Sequence, residues 1–366
     1  VDDTATSELA GTADPIALWV APVGDFGGVA RHILDAATAG VPGWRVIVLA
    51  PPGPLVDACR LAGVPAIAAA IGPEHGLHRS VRTLRRISNR LRPALVHTHL
   101  AHADITAAFA FAGRRGPTLI STEHGISGDP ALYQRSRMQS VVMAKVHSLR
   151  LRAFDGVIAV SNSTREQIRE RWNPPHRLPI EVIVNGVDRM PDDGNGRSSG
   201  LRIATLSRLS HEKRLESTLQ AFVEIHRREP DARLTIAGDG PDRASLIQAC
   251  TDLGIDEAVA FPGFVDSHEL LERTDVIVQL SAWENCSYTL LDALAAGVGV
   301  VATPVGGNPE LVASTALVPA QNPRLIADAV LEQAKIPNSR PSLPLGWPSC
   351  IEMTASVAEF YGQVRS

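Results

Sequence analysis

Short runs of branched aliphatic residues alternate with helix-length amphipathic stretches through nearly all of the chain, and no other feature constrains the fold as tightly. In the first half the runs are P-I-A-L-W-V-A, W-R-V-I-V-L-A, A-L-V-H-T-H, T-L-I-S-T and G-V-I-A-V-S. Each is short, rich in Val, Ile or Leu, and bounded by Gly, Pro or polar residues, as a strand buried on both faces reads. Between them lie V-A-R-H-I-L-D-A-A-T-A-G, which closes on a glycine suited to a helix C-cap, and H-R-S-V-R-T-L-R-R-I-S-N-R-L. Strands separated by helices pair in parallel, so the first half predicts a parallel sheet with helices on its faces.

The rhythm stops at R-M-P-D-D-G-N-G-R-S-S-G, which is polar, glycine-rich and without periodicity, and then restarts. L-R-I-A-T-L, A-R-L-T-I-A, A-V-A-F-P, D-V-I-V-Q-L and G-V-V-A-T supply the second set of strands, and I-E-M-T-A-S-V-A-E-F-Y-G-Q-V closes the chain as a helix. At 366 residues the chain exceeds what one core supports, and the doubled pattern predicts two domains. The expected layout is a loose tail over 1–14, a Rossmann-like domain over 15–185, a linker over 186–200, a second Rossmann-like domain over 201–348 and a helix over 349–366 returning toward the first domain. The fold class is α/β, two doubly wound parallel sheets facing a central cleft.

Composition excludes several classes. Hydrophobic residues make up 45% and charged residues 20%, with no apolar run near the length of a membrane span. The acidic start V-D-D-T-A-T-S-E-L-A-G is unlike a basic-then-apolar secretory signal. Cys59, Cys250, Cys286 and Cys350 are scattered with no C-x-x-C pair, which fits a reducing cytoplasm and speaks against a disulfide framework or thiolate metal site. Residues 1–185 carry 20 Lys+Arg against 15 Asp+Glu, and the remainder 15 against 24, so a mild basic excess in the first half offsets an acidic second half. Solvated helix faces produce such a split as readily as an anionic partner does, and nucleic acid is not an expected partner.

Open parallel sheets bind ligands beyond the carboxyl ends of their strands, and three stretches there carry chemistry. V-G-D-F-G-G-V-A-R-H follows the first strand, so Gly24, Gly27 and Gly28 make either a tight turn or a backbone cradle for a phosphate at a helix N-terminus. The spacing is not G-x-G-x-x-G, and the second strand ends A-P-P-G with no acid for a ribose, which disfavours a nicotinamide enzyme. S-R-L-S-H-E-K-R follows the first strand of the second half. With 32 Arg and only 3 Lys in the chain, a lysine there stands out, and Arg208 with Lys213 is a solvated pair or an anion clamp.

W-E-N-C-S-Y-T-L-L-D-A-L-A-A-G predicts a helix from about Ser287 to Gly297, with Glu284 in the turn before it and Asp292 inside it. Free N–H groups at its start would favour a phosphate, and an acid within a Leu/Ala-rich helix calls for a donor such as a ribose diol. His97, His99 and His102 form H-T-H-L-A-H, in which two imidazoles share one strand face. No acid or cysteine stands at metal-binding spacing, so metal is disfavoured, and P-D-D-G at 191–194 is a weaker metal motif still. His124, in T-E-H-G, ends a strand and is either a capping residue or a hydrogen-bonding group facing the cleft.

Taken in order, G-G-V-A-R-H, V-H-T-H, T-E-H-G, V-S-N-S-T, V-N-G-V-D, S-R-L-S-H-E-K-R, I-A-G-D-G-P, F-P-G-F-V, W-E-N-C-S-Y-T-L-L-D-A-L-A-A-G and V-G-G-N-P-E resemble the retaining glycosyltransferases of family 4, which have the two-Rossmann-domain GT-B fold. The resemblance implies transfer of a sugar from a nucleotide-diphosphate-sugar, a UDP- or GDP-sugar, to a hydroxyl of a sugar, lipid-linked or small-molecule acceptor, with no cofactor and no obligatory metal. It implies that Gly27, Gly28, Arg208 and Lys213 cradle the diphosphate. Glu284 would lie near the donor sugar and Asp292 would bind the ribose. Asn285, Cys286, Ser287 and Tyr288 would offer backbone N–H groups, His124 would touch the sugar, and Phe264 and Val265 would lie beside the base.

Three departures from the family pattern stand out. Asp292 stands for the usual Glu; Asn285, Cys286 and Ser287 stand where Gly, an aromatic and Gly are common; and Gly299 stands where Pro is frequent. The first two bear on which donor is used. A nucleotide-sugar epimerase of the same fold and an inactive nucleotide-sugar-binding protein are the competing readings. The Arg79 to Arg92 stretch holds a helix apolar at Val81, Leu84, Ile87 and Leu91 and basic elsewhere, which packs on the sheet or meets an anionic membrane from the cytoplasmic side.

Overall fold

The computed structural model describes residues 14–113, 116–126, 137–189 and 201–365. Residues 1–13 of the expected tail, most of the expected linker and the P-D-D-G stretch lie outside them. The chain divides into two compact units, the first running to Gly186 and taking up the chain again from Pro348, the second spanning Val187–Trp347.

The first unit holds seven parallel strands: β1 (Ile16–Val20), β2 (Arg45–Ala50), β3 (Ala66–Ala68), β4 (Leu95–His99), β5 (Thr118–Glu123), β6 (Gly156–Ala159) and β7 (Ile180–Val182). Their order is β3-β2-β1-β4-β5-β6-β7. In the second unit β8 (Arg202–Leu206), β9 (Arg233–Ala237), β10 (Val259–Gly263), β11 (Val276–Gln279) and β12 (Gly299–Ala302) follow the order β10-β9-β8-β11-β12. Both sheets are doubly wound, and each reverses direction beside its first strand, where such sheets bind ligands. The ten strands expected from the apolar runs are all present. The two extra strands, β3 and β7, have three residues each and lie at the sheet edges, too short to leave a periodic signal.

The continuous apolar runs have a direct packing cause. Leu18 and Val20 join one core cluster and Ala17 and Trp19 another, because successive side chains of a strand point to opposite faces and both faces are covered. In the second unit Ile203 and Val278 face one cluster, Ala204 and Ile277 the other. Burial of each such Leu or Ile contributes about 1.5–3 kcal/mol, so the two-sided sheets are the main source of stability. The closing helix, Cys350–Arg365, sets Met353, Val357, Phe360 and Tyr361 into the core of the first unit.

Helix Arg137–Leu151 is fastened electrostatically. The buried guanidinium of Arg150 contacts the carboxylates of Asp104 and Glu123, and its Cζ lies 4.9 Å from the centroid of the Trp172 ring. Asp104 also accepts hydrogen bonds from Thr98 (2.6 Å) and Ser121 (2.8 Å), so β4, β5 and two helices converge on one buried charge cluster. Glu123 is the last residue of β5, and His124 follows it.

Candidate functional site

At the carboxyl end of β8 the chain turns through Ser207–Leu209 into a 3₁₀ turn, His211–Lys213. The turn is tied to the loop after β11 by a hydrogen bond from the Ala282 amide to the Glu212 carbonyl, 2.7 Å. Arg208 donates to Glu212 Oε1 at 3.1 Å, and Ser210 donates to the same oxygen at 2.6 Å. Burial alone would raise the Glu212 carboxyl. The hydrogen bonds from Ser210, its own backbone and Arg208 outweigh it and hold the group below the usual carboxylate range. Lys213 Nζ lies 2.5 Å from Glu284 Oε1, with side chains 21% and 11% exposed. Arg208 is 67% exposed, so a rigid lysine–glutamate pair stands beside a solvent-facing guanidinium.

Three glycines shape this edge. A Cβ on Gly238 or Gly240 would sit 2.0 Å from the Ser207 carbonyl oxygen or 2.3 Å from that of Leu209, so the I-A-G-D-G-P turn presses backbone to backbone on the loop carrying Arg208. Gly306, at φ +54°, leaves a Cβ position only 1.6 Å from the Glu284 carbonyl oxygen. The V-G-G-N-P-E segment therefore sets the height of Glu284.

The helix after Glu284 is Tyr288–Ala295, capped by Ser287, whose hydroxyl accepts from the Leu290 amide at 3.4 Å. Gln279 donates to that hydroxyl at 3.0 Å, and Thr289 donates to the Leu206 carbonyl at 3.0 Å, which locks the helix start to the ends of β11 and β8. Asn285, Ser287, Tyr288 and Asp292 are buried and Cys286 is half-buried. Asp292 lies in the helix, five residues past its cap. Phe264 is 80% exposed just past β10 with Val265 beside it, and borders the Gly238 turn through the Gly238 amide to Gly263 carbonyl bond, 2.7 Å. The structure thus gathers 207–213, 238–240, 282–288 and 306–307 at one edge of the second sheet. Phe264 and Val265 follow β10 and adjoin that edge through the 238 turn.

In the first unit Gly27 caps helix Gly28–Ala39 with no side-chain hydrogen bond, and a Cβ on Gly27 or Gly28 would meet nothing within 4 Å. The backbone there has room for a ligand to approach. Beside it lies a cluster of imidazoles. His97 and His99 share a face of β4 over Trp19, with ring centroids 5.1 and 5.2 Å from the indole. His99 Nδ1 is 2.9 Å from His124 Nε2, and His32 packs edge-on against the His124 ring at 4.6 Å while its Nδ1 meets Asn185 Oδ1 at 3.0 Å. His97 is held by Tyr361 (2.5 Å) and Thr122 (2.6 Å), whereas His102 lies apart, against Ser80.

Burial pushes His32 down to about 4, against a smaller upward pull from Asn185. His97, His99 and His124 fall well below the usual imidazole range, first through burial and then through neighbouring imidazoles. All four rings are neutral at pH 7. His32, His99 and His124 can each direct one nitrogen to a common point, their atoms lying within 4.8 Å of one another. Spacing along the chain groups His97, His99 and His102 and misses His32 and Asn185; the one available signal is that His32 falls among the core positions Ala30, Ile33 and Ala36 of its helix. Glu212, the partner of Arg208, was likewise missed, although it stands one residue before Lys213.

Helix Leu77–Leu91 buries Leu84, Ile87 and Leu91 and leaves Arg79, Arg82, Arg86 and Arg90 exposed. Arg85 is used internally: it donates to the Ala110 and Phe109 carbonyls at 2.9 and 2.8 Å and so caps the end of helix Ala101–Phe111. Among the described residues no helix is long and apolar enough to cross a membrane.

Known proteins match both units. Residues 26–189 match the family described as Glycosyltransferase Family 4, and residues 200–335 match Glycosyl transferases group 1. A glycogen synthase of Mycobacterium tuberculosis is 29% identical over 330 residues, covering 80% of this chain and 78% of that one. An N-acetyl-alpha-D-glucosaminyl L-malate synthase of Bacillus anthracis is 27% identical over 248 residues, 63% of this chain and 61% of the relative. Among solved structures, Anabaena HepE in complex with UDP-glucose superimposes with a TM-score of 0.77 at 19% identity, covering 95% of this chain and 100% of that one. Sucrose-phosphate synthase from Thermosynechococcus elongatus gives 0.77 at 19% identity, over 96% and 99%.

Proposed function

Since the chain belongs to the GT-B glycosyltransferases, joining a family 4 segment to a group 1 segment, we propose that it moves a sugar from a nucleotide-diphosphate-sugar to a hydroxyl acceptor, with retention at the anomeric carbon and no obligatory metal. The observation that carries this is the Lys213–Glu284 pair beside Arg208 at the carboxyl edge of the second sheet. Departure of a nucleoside diphosphate places growing negative charge at one point. A half-buried lysine and a solvent-facing arginine near a helix N-terminus oppose that charge, as a divalent metal does in other enzymes. Lys213 and Arg208 hold the diphosphate, exchanging their present carboxylate partners for phosphate oxygens.

Glu284 is then released toward the sugar, where it accepts hydrogen bonds from hydroxyls. Asp292 takes the ribose, the amides of Asn285 to Tyr288 meet sugar and phosphate, His124 touches the sugar, and Phe264 with Val265 flanks the base. The complex of HepE with UDP-glucose supports a uridine donor as the first to test. The acceptor is a sugar, a lipid-linked or a small-molecule hydroxyl. We place the reaction in the cytoplasm, in keeping with four free cysteines. The exposed arginines of helix Leu77–Leu91 support peripheral contact with anionic membrane.

A thermal-shift screen of UDP-, GDP-, ADP- and dTDP-sugars tests the donor site, because a ligand of the folded state raises the melting temperature by mass action. One nucleotide family is expected to shift it and the others not; no shift from any would overturn the donor site. Turnover of that donor in chelator, with an acceptor panel and NMR assignment of the product's anomeric configuration, tests the rest. Interconversion of the sugar nucleotide without acceptor would favour an epimerase. Flotation with anionic vesicles tests the membrane contact; Arg79→Ser with Arg82→Ser and Arg86→Ser is expected to abolish it, and unchanged binding would end the idea.

A further inference from the structure

We infer that His32, His99 and His124 form a binding site for a divalent transition cation of the imidazole-preferring class, built wholly from residues of the first unit. The inference does not rest on the proposed sugar transfer, whose leaving group is served by residues of the second unit.

The three rings come from helix Gly28–Ala39, from the last residue of β4 and from the residue after β5, at and next to the point where the first sheet reverses direction between β1 and β4. One nitrogen from each lies within 4.8 Å of the other two. The closest pair, His99 Nδ1 and His124 Nε2 at 2.9 Å, is already near the roughly 3 Å that separates two nitrogens sharing one cation at about 2.0–2.1 Å bonds. Closing the third corner needs His32 to move by about an ångström, within the reach of a side-chain rotation.

The surroundings match what such a cation requires. His32 Nδ1 meets Asn185 Oδ1 at 3.0 Å; a ring N–H given to an amide oxygen puts the lone pair on Nε2 and fixes the ring, the outer-shell arrangement of ligating histidines. His97, next to His99, is not a ligand, because Tyr361 and Thr122 engage both its nitrogens.

The donor set names the cation class. Three imidazoles without carboxylate or thiol exclude the hard oxygen-seeking Mg²⁺ and Ca²⁺ and suit Zn²⁺. His124 is the one partly exposed member, so a cation would enter past it and keep its fourth position toward solvent. A ligating His124 still has its second nitrogen for a substrate hydroxyl.

The test is titration of the chelator-treated full chain with Zn²⁺ by calorimetry, and with Co²⁺ by its visible absorption, where a tetrahedral imidazole site gives an intense band. One Zn²⁺ per chain is expected. His124→Gln, at a partly exposed position that should spare the fold, is expected to weaken binding at least tenfold, and His99→Gln to abolish it. His102→Gln should change nothing. Absence of saturable binding, or binding unaffected by His124→Gln, would overturn the site and leave the cluster as a hydrogen-bonded network of neutral rings; should His99→Gln fail to fold, the His124→Gln result decides alone.

Discussion

Lys213 and Glu284, 71 residues apart in the chain, meet at 2.5 Å at the carboxyl edge of the second sheet. The lysine comes from the turn after β8 and the glutamate from the turn after β11, adjacent strands at the point where the sheet order reverses. If Lys213 neutralises the departing diphosphate, Lys213→Ala should lower kcat/KM by about 10²–10³-fold, the usual loss for one preorganised group facing transition-state charge. Steady-state kinetics with the donor found by thermal shift checks this; a loss confined to KM would mean that the lysine binds donor and transition state equally.

Gly306 carries a separate expectation. Its φ of +54° is unfavourable for any side chain, and a Cβ there would strike the Glu284 carbonyl. Gly306→Ala should therefore cost more than about 1 kcal/mol of stability and displace Glu284. Chemical denaturation should show the destabilisation, and the donor-induced rise in melting temperature should shrink relative to the native chain.

The imidazole cluster sets a pH dependence. His32 has a folded value of about 4 against an ordinary value near 6.5, so between these the unfolded chain binds more protons than the folded one. Stability from His32 is complete above pH 6.5 and is lost as pH falls toward 4, by up to about 3 kcal/mol. His97, His99 and His124 shift in the same direction and add to the slope. Urea midpoints between pH 7.5 and 4.5 should fall steeply, and His32→Gln should flatten the fall.

Arg150→Met should be among the most damaging single changes. It strands Asp104 and Glu123, both buried, without their shared cation, and removal of one partner from such a cluster costs about 3–5 kcal/mol. Equilibrium denaturation at neutral pH measures it. Partial recovery at lower pH, as the stranded carboxyls take up protons, would identify the cause.

The strand–helix order was readable because two-sided burial writes itself as uninterrupted Val/Ile runs, and the positions of Lys213 and Glu284 followed from the rule that loops at carboxyl ends meet. Their pairing did not, since two residues 71 apart leave no local trace. Glu212 was hidden for another reason: one residue before Lys213, it reads as a surface charge until the turn folds it beneath Arg208. His32 looks like an ordinary amphipathic-helix residue, and only the crossing of that helix with β4 and β5 turns it into a cluster member.

Asp292 is the position where the fold changes the choice of probe. From the sequence, the shorter acid suggests that Asp292→Glu would keep or improve donor affinity. The residue is only 3% exposed within a helix packed by Leu290, Leu291 and Leu294, so an added methylene risks about 1–3 kcal/mol of overpacking and would blur the result. Asp292→Asn keeps the volume and removes the charge. If this carboxylate receives the ribose hydroxyls, the asparagine variant should melt near the native temperature yet bind nucleotide about tenfold or more weakly, since a hydrogen bond to a charged group contributes about 1.5–3 kcal/mol. Calorimetric titration with the nucleoside diphosphate and its 2′-deoxy counterpart separates the causes. The native chain should prefer the ribose form, and the asparagine variant should lose most of that preference. Equal preference in both chains would remove Asp292 from the ribose site.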